Sequence, residues 1–335
     1  MKEAMFWEKL KKNKMVQCHL CPWDCKITEG KLGNCGVRKN KEGKLYSLNY
    51  AKPCTVSIDP IEKKPFFHFH PGSRTVSVAT VGCNFHCKFC QNWEISQAKI
   101  DDIPYRESKP KKIVDFCLEN DCEGVSYTYT EPTIFYEYAY DTAKLAHEQG
   151  LYNTFVSNGY INEKPLRKIS KYLDAMNLDL KAFTDEYYKE LCGVPSVEPV
   201  KKTAKLCKEL GIFLEVTTLI IPGYNDNESD LRKLSKFVYD LGEDTPLHFS
   251  RFSPFYKMKD TPETELKTLR KARNIALEEG LNYVYIGNVF SNEAENTYCP
   301  NCGETVIGRV GFNIKETNLT KNKCSNCGEE INLLL

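Results

Sequence analysis

The chain has no long hydrophobic run and no excess of one charge. No stretch approaches the roughly 18 apolar residues that a membrane span needs. The opening MKEAMFWEKLKKNK lacks the continuous apolar core of a secretory signal. With 46 basic against 45 acidic residues the net charge is +1, too little field to hold nucleic acid or an anionic bilayer by charge alone. Neither a solenoid-type repeat nor a low-complexity segment interrupts the 335 residues. These absences leave a cytoplasmic protein with one large α/β domain and small appendages, and with no nucleic-acid or membrane partner.

Cysteine is abundant, at sixteen residues. Thiols in a reducing compartment stay free, so their clustering points to metal rather than disulfides. Eleven of the sixteen form three groups: Cys18, Cys21, Cys25 and Cys35; Cys83, Cys87 and Cys90; Cys299, Cys302, Cys324 and Cys327. Cys54, Cys117, Cys122, Cys192 and Cys207 read as small buried apolar side chains. The middle group, inside GCNFHCKFCQN, offers three ligands where a closed tetrahedral site needs four. It therefore suggests a metal centre with one position kept open.

Short apolar, β-branched runs alternate with amphipathic stretches from residue 75 to 289. The strand-like runs cover 75–82, 124–131, 152–159, 175–182, 212–221, 246–254 and 282–289. Such alternation predicts a parallel sheet with crossover helices, closed or partly closed as a barrel. Functional groups in these folds sit where strands end. Cys83, Glu131, Asn158, Lys181, Pro222, Arg251 and Asn288 all fall there. The expected division is a cysteine-rich extension over 1–72, the α/β unit over 73–290 and a small four-cysteine module over 291–335.

Cys83-x3-Cys87-x2-Cys90, just past the first strand and with Phe89 before its last cysteine, resembles the signature of the radical S-adenosylmethionine (SAM) superfamily. The resemblance implies a partial (β/α)6-type barrel in which three thiolates hold a 4Fe-4S cluster. SAM then chelates the fourth iron through its amino and carboxylate groups, and reductive cleavage yields a 5'-deoxyadenosyl radical that abstracts hydrogen from a substrate. Glu131, in Thr130-Glu131-Pro132, is similar to the carboxylate of the superfamily's Gly-Gly-Glu-Pro, with Tyr129 and Thr130 in place of both glycines. Ser157 and Asn158 resemble a Thr-Asn-Gly contact for ribose or carboxylate. Asp179 and Lys181 resemble the Asp-Leu-Lys of glycyl-radical activating enzymes, with Lys181 placed to meet the SAM carboxylate. Gly287 in YIGNV would let the backbone approach adenine. Catalysis itself belongs to the cofactor, leaving Lys181 and Arg251 as the catalytic candidates among side chains.

The C-terminal set, TYCPNCG and KCSNCGEE, supplies two knuckles and four thiolates for one tetrahedral ion, zinc being the first choice. The N-terminal set fits either zinc or a second iron–sulfur cluster, and zinc is slightly favoured. His68 and His70 alternate, so in an extended segment they would share a face and, with Lys63 and Lys64, line a substrate mouth. His248 and Arg251 are further substrate candidates, Arg251 suiting a carboxylate or phosphate.

Motifs from CxLCPxxC through DPIEKKP, HFHPGS, NLDLKAF, PGYND and HFSRF to TYCPNCG resemble the radical SAM enzyme of the AmmeMemoRadiSam system along almost the whole chain. That family is related to pyruvate formate-lyase-activating enzymes. The resemblance implies AMMECR-type and Memo-like partner proteins and a reductase or other low-potential electron donor. It leaves the substrate open. The expected function is a radical SAM enzyme acting on a small molecule or a protein. The alternatives are a glycyl-radical enzyme activase and, in another class, a non-catalytic iron–sulfur or zinc protein for interaction or electron transfer.

Overall fold

The computed structural model describes residues 1–11, 14–290 and 293–335. The expected boundary at residue 291 falls on Ser291 and Asn292, outside the described residues. The seven apolar runs become strands of one sheet, which gains an eighth, β1 (Thr55–Pro60), from the segment before them: β2 (Arg74–Ala79), β3 (Gly124–Tyr127), β4 (Tyr152–Ser157), β5 (Ala175–Asp179), β6 (Phe213–Ile220), β7 (Leu247–Arg251) and β8 (Val284–Gly287). They lie side by side in chain order. Strands β2 to β8 are parallel, and β1 pairs antiparallel with β2 at one edge. Residues 55–60, counted with the extension from sequence, are thus hydrogen-bonded into the main sheet.

One helix bridges each parallel pair: α1 (Pro110–Glu119), α2 (Tyr136–Glu148), α3 (Glu163–Ile169), α4 (Glu198–Glu209), α5 (Glu228–Asp240) and α6 (Leu266–Glu278). Their apolar spacing explains the packing. In α4 the buried residues Val200, Thr203, Ala204 and Cys207 recur at helical period and form one stripe against the sheet. Asn227 starts α5 by accepting the Asp230 N–H at 3.0 Å, which satisfies one free donor of the first turn.

The two faces of the sheet differ. Val76, Val125, Phe155, Met176, Leu178, Leu214 and Val216 belong to the main apolar core. The other face is polar and satisfied from within: Thr75 and Ser126 hydroxyls lie 2.8 Å apart, Ser126 and Thr154 2.7 Å, and Thr217 donates to the Asn177 side chain at 2.9 Å.

At the N-terminal ends of the strands, residues 61–73 close the floor. Phe66 and Phe69 pack with Tyr152 and Ala175, and the backbone N–H groups of Phe67, His68 and Phe69 converge on the Glu215 carboxylate at 2.8–3.2 Å. The C-terminal module, with β9 (Thr297–Tyr298), β10 (Thr305–Val310) and β11 (Asn313–Thr317), docks beside it. Its buried Arg309 donates to the Phe67 carbonyl at 2.7 Å and to Thr297 Oγ1 at 2.8 Å. The N-terminal segment folds as two small three-stranded antiparallel sheets. A buried ion pair, Arg38 to Glu137 on α2 at 3.0 Å, ties that segment down.

Candidate radical site at the strand ends

The loop after β2 is positioned by two flanking segments. Gly82 has φ of 97°, and a Cβ there would strike the Cys35 carbonyl and Val37 Cγ1, each at 2.8 Å, so glycine alone lets the loop leave the strand against the N-terminal segment. From the other side, the His86 and Lys88 N–H groups donate to Cys192 and Leu191 carbonyls at 2.9 and 2.8 Å. Those carbonyls end a π-helical turn, Tyr188–Cys192, capped by left-handed Gly193. The Phe85 N–H points at Cys83 Sγ (3.4 Å), and the Ser96 hydroxyl lies 3.3 Å from Cys90 Sγ.

Cys83, Cys87 and Cys90 line one side of a cavity of about 440 Å³ at the C-terminal ends of the parallel strands. Glu131, Asn158, Asp179 and Lys181 face them from the ends of β3 to β5, and Ser250 and Asn288 from β7 and β8. Burial pushes the Cys83 and Cys90 thiols up. Cys87 is raised chiefly by its hydrogen bond with Cys192, then by burial. Left bare the three stay protonated, and a bound cation is what turns such groups into thiolates. Cys192 is fully buried behind Cys87 and is not part of the wall. Among the described residues, the close-set group able to share one ion is the C-terminal one, and these three are not in it. A cubane cluster, which places each thiolate on its own iron, suits them.

Burial works against the Lys181 ammonium, but the charge environment led by Asp179, 2.8 Å away, more than compensates, so its pKa is raised and it keeps its charge. It also lies 5.8 Å from the centre of the Phe89 ring. Glu131 is pinned: the Thr133 N–H and hydroxyl, the Ser157 hydroxyl and the Asn158 N–H all donate to it at 2.6–3.0 Å. Burial outweighs these bonds and raises its pKa. The Asn158 amide reaches Asn84 Oδ1 at 2.9 Å, so it also steadies the cysteine loop.

The structure thus brings Phe89, Glu131, Asn158, Asp179 and Lys181 to the cavity with the three cysteines. It does not bring Ser157, Gly287, His68, His70, His248 or Arg251 to its wall. The Ser157 side chain points under the wall to Glu131. Gly287 lies just below Asn288, and a Cβ on it would meet nothing nearer than Ser250 Oγ at 3.9 Å. Arg251 turns away to the Thr264 carbonyl and pairs with Glu263.

The histidines belong to the floor. His68 lies between the Asn332 carbonyl and the Tyr285 hydroxyl, each at 2.6 Å, and His248 Nε2 meets Glu215 at 2.7 Å. His70 sits near Glu123 at the strand starts. The expected shared face fails because residues 61–70 do not form an extended strand: they begin with a 3-10 turn, and His70 has φ of 44°. Lys63 and Lys64 do reach the wall, both paired with Asp59 at 2.7 and 2.9 Å.

Two contributors escape the sequence. Phe312, from the turn between β10 and β11, lies on the cavity wall although it is remote in the chain. Tyr129 holds φ of 63°, the backbone glycine would adopt, while its hydroxyl donates to Asp59 at 2.6 Å and Lys64 lies 4.1 Å from its ring centre. The sequence signal for Tyr129 is its place where the superfamily carries glycine.

The C-terminal cysteines are much closer together. Cys299 and Cys327 sulfurs are 3.5 Å apart, Cys302 and Cys324 3.7 Å, and all four lie within 4.8 Å of one another, a set able to hold one metal ion. The Glu304 N–H, then the Asn326 amide, pull the Cys302 thiol down to about 6.

Comparison with known proteins agrees with this geometry. The family model described as the Radical SAM superfamily matches residues 77–238. An uncharacterized protein of Methanocaldococcus jannaschii is 54% identical over the full length of both chains. The pyruvate formate-lyase-activating enzyme of Clostridium pasteurianum is 25% identical over 63% of this chain and 91% of its own. In fold, a radical SAM methyltransferase from Sphaerobacter thermophilus superposes with a TM-score of 0.51 at 15% identity, over 65% of this chain and 67% of that one. The matched residues 77–238 contain the three-cysteine loop and the strand ends that face it, and that part of the chain is a Radical SAM superfamily domain.

Proposed function

We propose that the chain is a radical SAM enzyme of the activating-enzyme-like branch, acting on a small molecule or a partner protein and built on a partial (β/α)6-type barrel with cysteine-rich supports on both flanks. The observation that carries this reading is the single cavity wall that unites Cys83, Cys87 and Cys90 with Lys181 and Glu131 and contains no fourth cysteine. A 4Fe-4S cluster with SAM, when bound, supplies one-electron cleavage to a 5'-deoxyadenosyl radical. The protein's part is ligation, orientation and dryness. Cys83, Cys87 and Cys90 would ligate the cluster. The Lys181 ammonium, kept charged by Asp179, suits the SAM carboxylate, and Glu131 and Asn158 stiffen the wall opposite. Phe85, Phe89, Val156, Leu219 and Phe312 give the chamber apolar surface that excludes water from a reactive radical. The C-terminal set is assigned zinc, since one ion with thiolate bonds of about 2.3 Å puts sulfurs about 3.8 Å apart. AMMECR-type and Memo-like proteins, with a low-potential donor, are the proposed partners, and the cytoplasm the proposed location.

Anaerobic incubation of the reconstituted chain with SAM and dithionite tests the reading. Formation of 5'-deoxyadenosine supports it. None, with the cluster intact by spectroscopy, overturns it. A glycyl-radical activase is the second reading, favoured by the 25% identity to the clostridial activating enzyme. It requires an organic radical to appear on a coexpressed glycyl-radical protein.

A further inference from the structure

The chain carries two complete four-cysteine sets, and they are built differently. The C-terminal set is an internal ruler for a single ion: four sulfurs within 4.8 Å. Cys18, Cys21, Cys25 and Cys35 also converge. The Cys18 N–H donates to the Cys25 carbonyl at 3.0 Å, with Cys21 on the tight turn between them, closed by Asp24 N–H to Cys21 carbonyl at 3.1 Å. Gly33 brings the returning loop against Cys25, where a Cβ on it would lie 3.8 Å from Cys25 Cβ, and Cys35 follows two residues later. Cys21 lies within electrostatic reach of Cys18, Cys25 and Cys35, and Cys35 within reach of Cys18 and Cys25. Yet among the described residues the group whose ligand atoms all lie within 4.8 Å of one another is the C-terminal one, and none of these four belongs to it.

A cubane does not ask for the close set that a single ion needs. Its thiolates bind different irons, so the sulfurs stand apart by an iron–iron edge more than those on one metal. The order in sequence agrees: three cysteines close together and one distant, as in ferredoxin-type sites, rather than the two knuckles of the C-terminal set. Backbone N–H groups of Trp23, Asn34 and Val37 are directed at the Cys21, Cys25 and Cys35 sulfurs. A buried cation is present as well. Arg38 is 2% exposed, its Nε has no partner, and after Glu137 the charges acting on it are those of Cys18 and Cys35.

We propose that Cys18, Cys21, Cys25 and Cys35 hold a second 4Fe-4S cluster, closed by four protein thiolates and lying beside the SAM-binding one. The proximity is direct. The Cys35 carbonyl abuts Gly82, the neighbour of Cys83, so the two α-carbons are at most about 10 Å apart. Trp23 Nε1 and Asn34 Nδ2 both donate to the Asn84 carbonyl, at 2.8 and 3.4 Å, inside the triad loop. This assignment does not depend on the function proposed above, because its ligands are a separate set.

The test is metal and sulfide analysis with EPR on the full-length chain bearing Cys83→Ala, Cys87→Ala and Cys90→Ala together, reconstituted anaerobically. About four irons and about four sulfides per chain are expected, with a reduced-cubane signal that SAM does not alter. An iron-free chain holding two zinc ions overturns the assignment. The reciprocal variant, Cys18→Ser with Cys35→Ser, guards against misfolding of the first. It should drop the native chain from about eight irons to about four while keeping the SAM-responsive signal. Loss of one zinc with iron unchanged overturns the assignment equally.

Discussion

The two ends of the same parallel strands are built from similar side chains and used in opposite ways. At the N-terminal ends Glu215 accepts three backbone N–H groups and His248, and neutral His68 donates to a carbonyl while accepting from Tyr285, so the polar valences turn inward on one another. At the C-terminal ends Lys181 has one carboxylate partner and otherwise faces a cavity with three thiols. A buried polar group that is fully partnered holds structure, and one with bonding capacity left over is available to a ligand.

The sharpest break of that comparison comes at the upper end. Cys87→Ala should remove about four irons per chain and lower 5'-deoxyadenosine formation by more than about 100-fold, with little change in melting temperature. Iron analysis and product chromatography check it. Glu215→Gln should do the reverse, costing about 3–5 kcal/mol of stability in chemical denaturation while iron content stays unchanged, because three N–H donors and His248 lose their anion.

A pH titration sharpens the contrast. Burial pushes His68 down to about 4, against about 6.5 in an unfolded chain. A base whose folded pKa is depressed favours the folded state above the unfolded value. Its contribution is therefore full above about pH 6.5 and is lost as pH falls towards 4, of order 3 kcal/mol in all. Denaturation midpoints measured across that window should fall, and His68→Gln should flatten the slope. The smallest effect is expected from Lys181→Met, which keeps the stem but removes the charge: SAM affinity should weaken about tenfold by calorimetry, with the cluster retained.

The upper end was the more legible in the sequence. Cysteine spacing marks a metal site wherever the chain goes, and strand-end position pointed to Glu131, Asn158, Lys181 and Asn288, since an apolar run reveals where a strand stops, while Asp179 came from the resemblance alone. The floor was opaque because its logic is tertiary. Nothing near His68 in the chain announces that Asn332 and Tyr285 will bracket it, and alternation with His70 means a shared face only if the backbone is extended. Ser157 neighbours Asn158, but successive residues of an extended chain point to opposite sides, and its hydroxyl goes to Glu131 rather than to the cavity. Lys63 and Lys64 were legible as lysines near a mouth, whereas their common partner Asp59 was not.

Phe312 gives the C-terminal module a second office. Its ring closes part of the chamber wall from the tip of a hairpin whose Arg309 is bolted to the floor and whose next turn belongs to the four-sulfur knot. An ion held by those four sulfurs would brace the hairpin that carries Phe312, so its removal is expected to loosen this part of the wall before it disturbs the cysteines across the chamber.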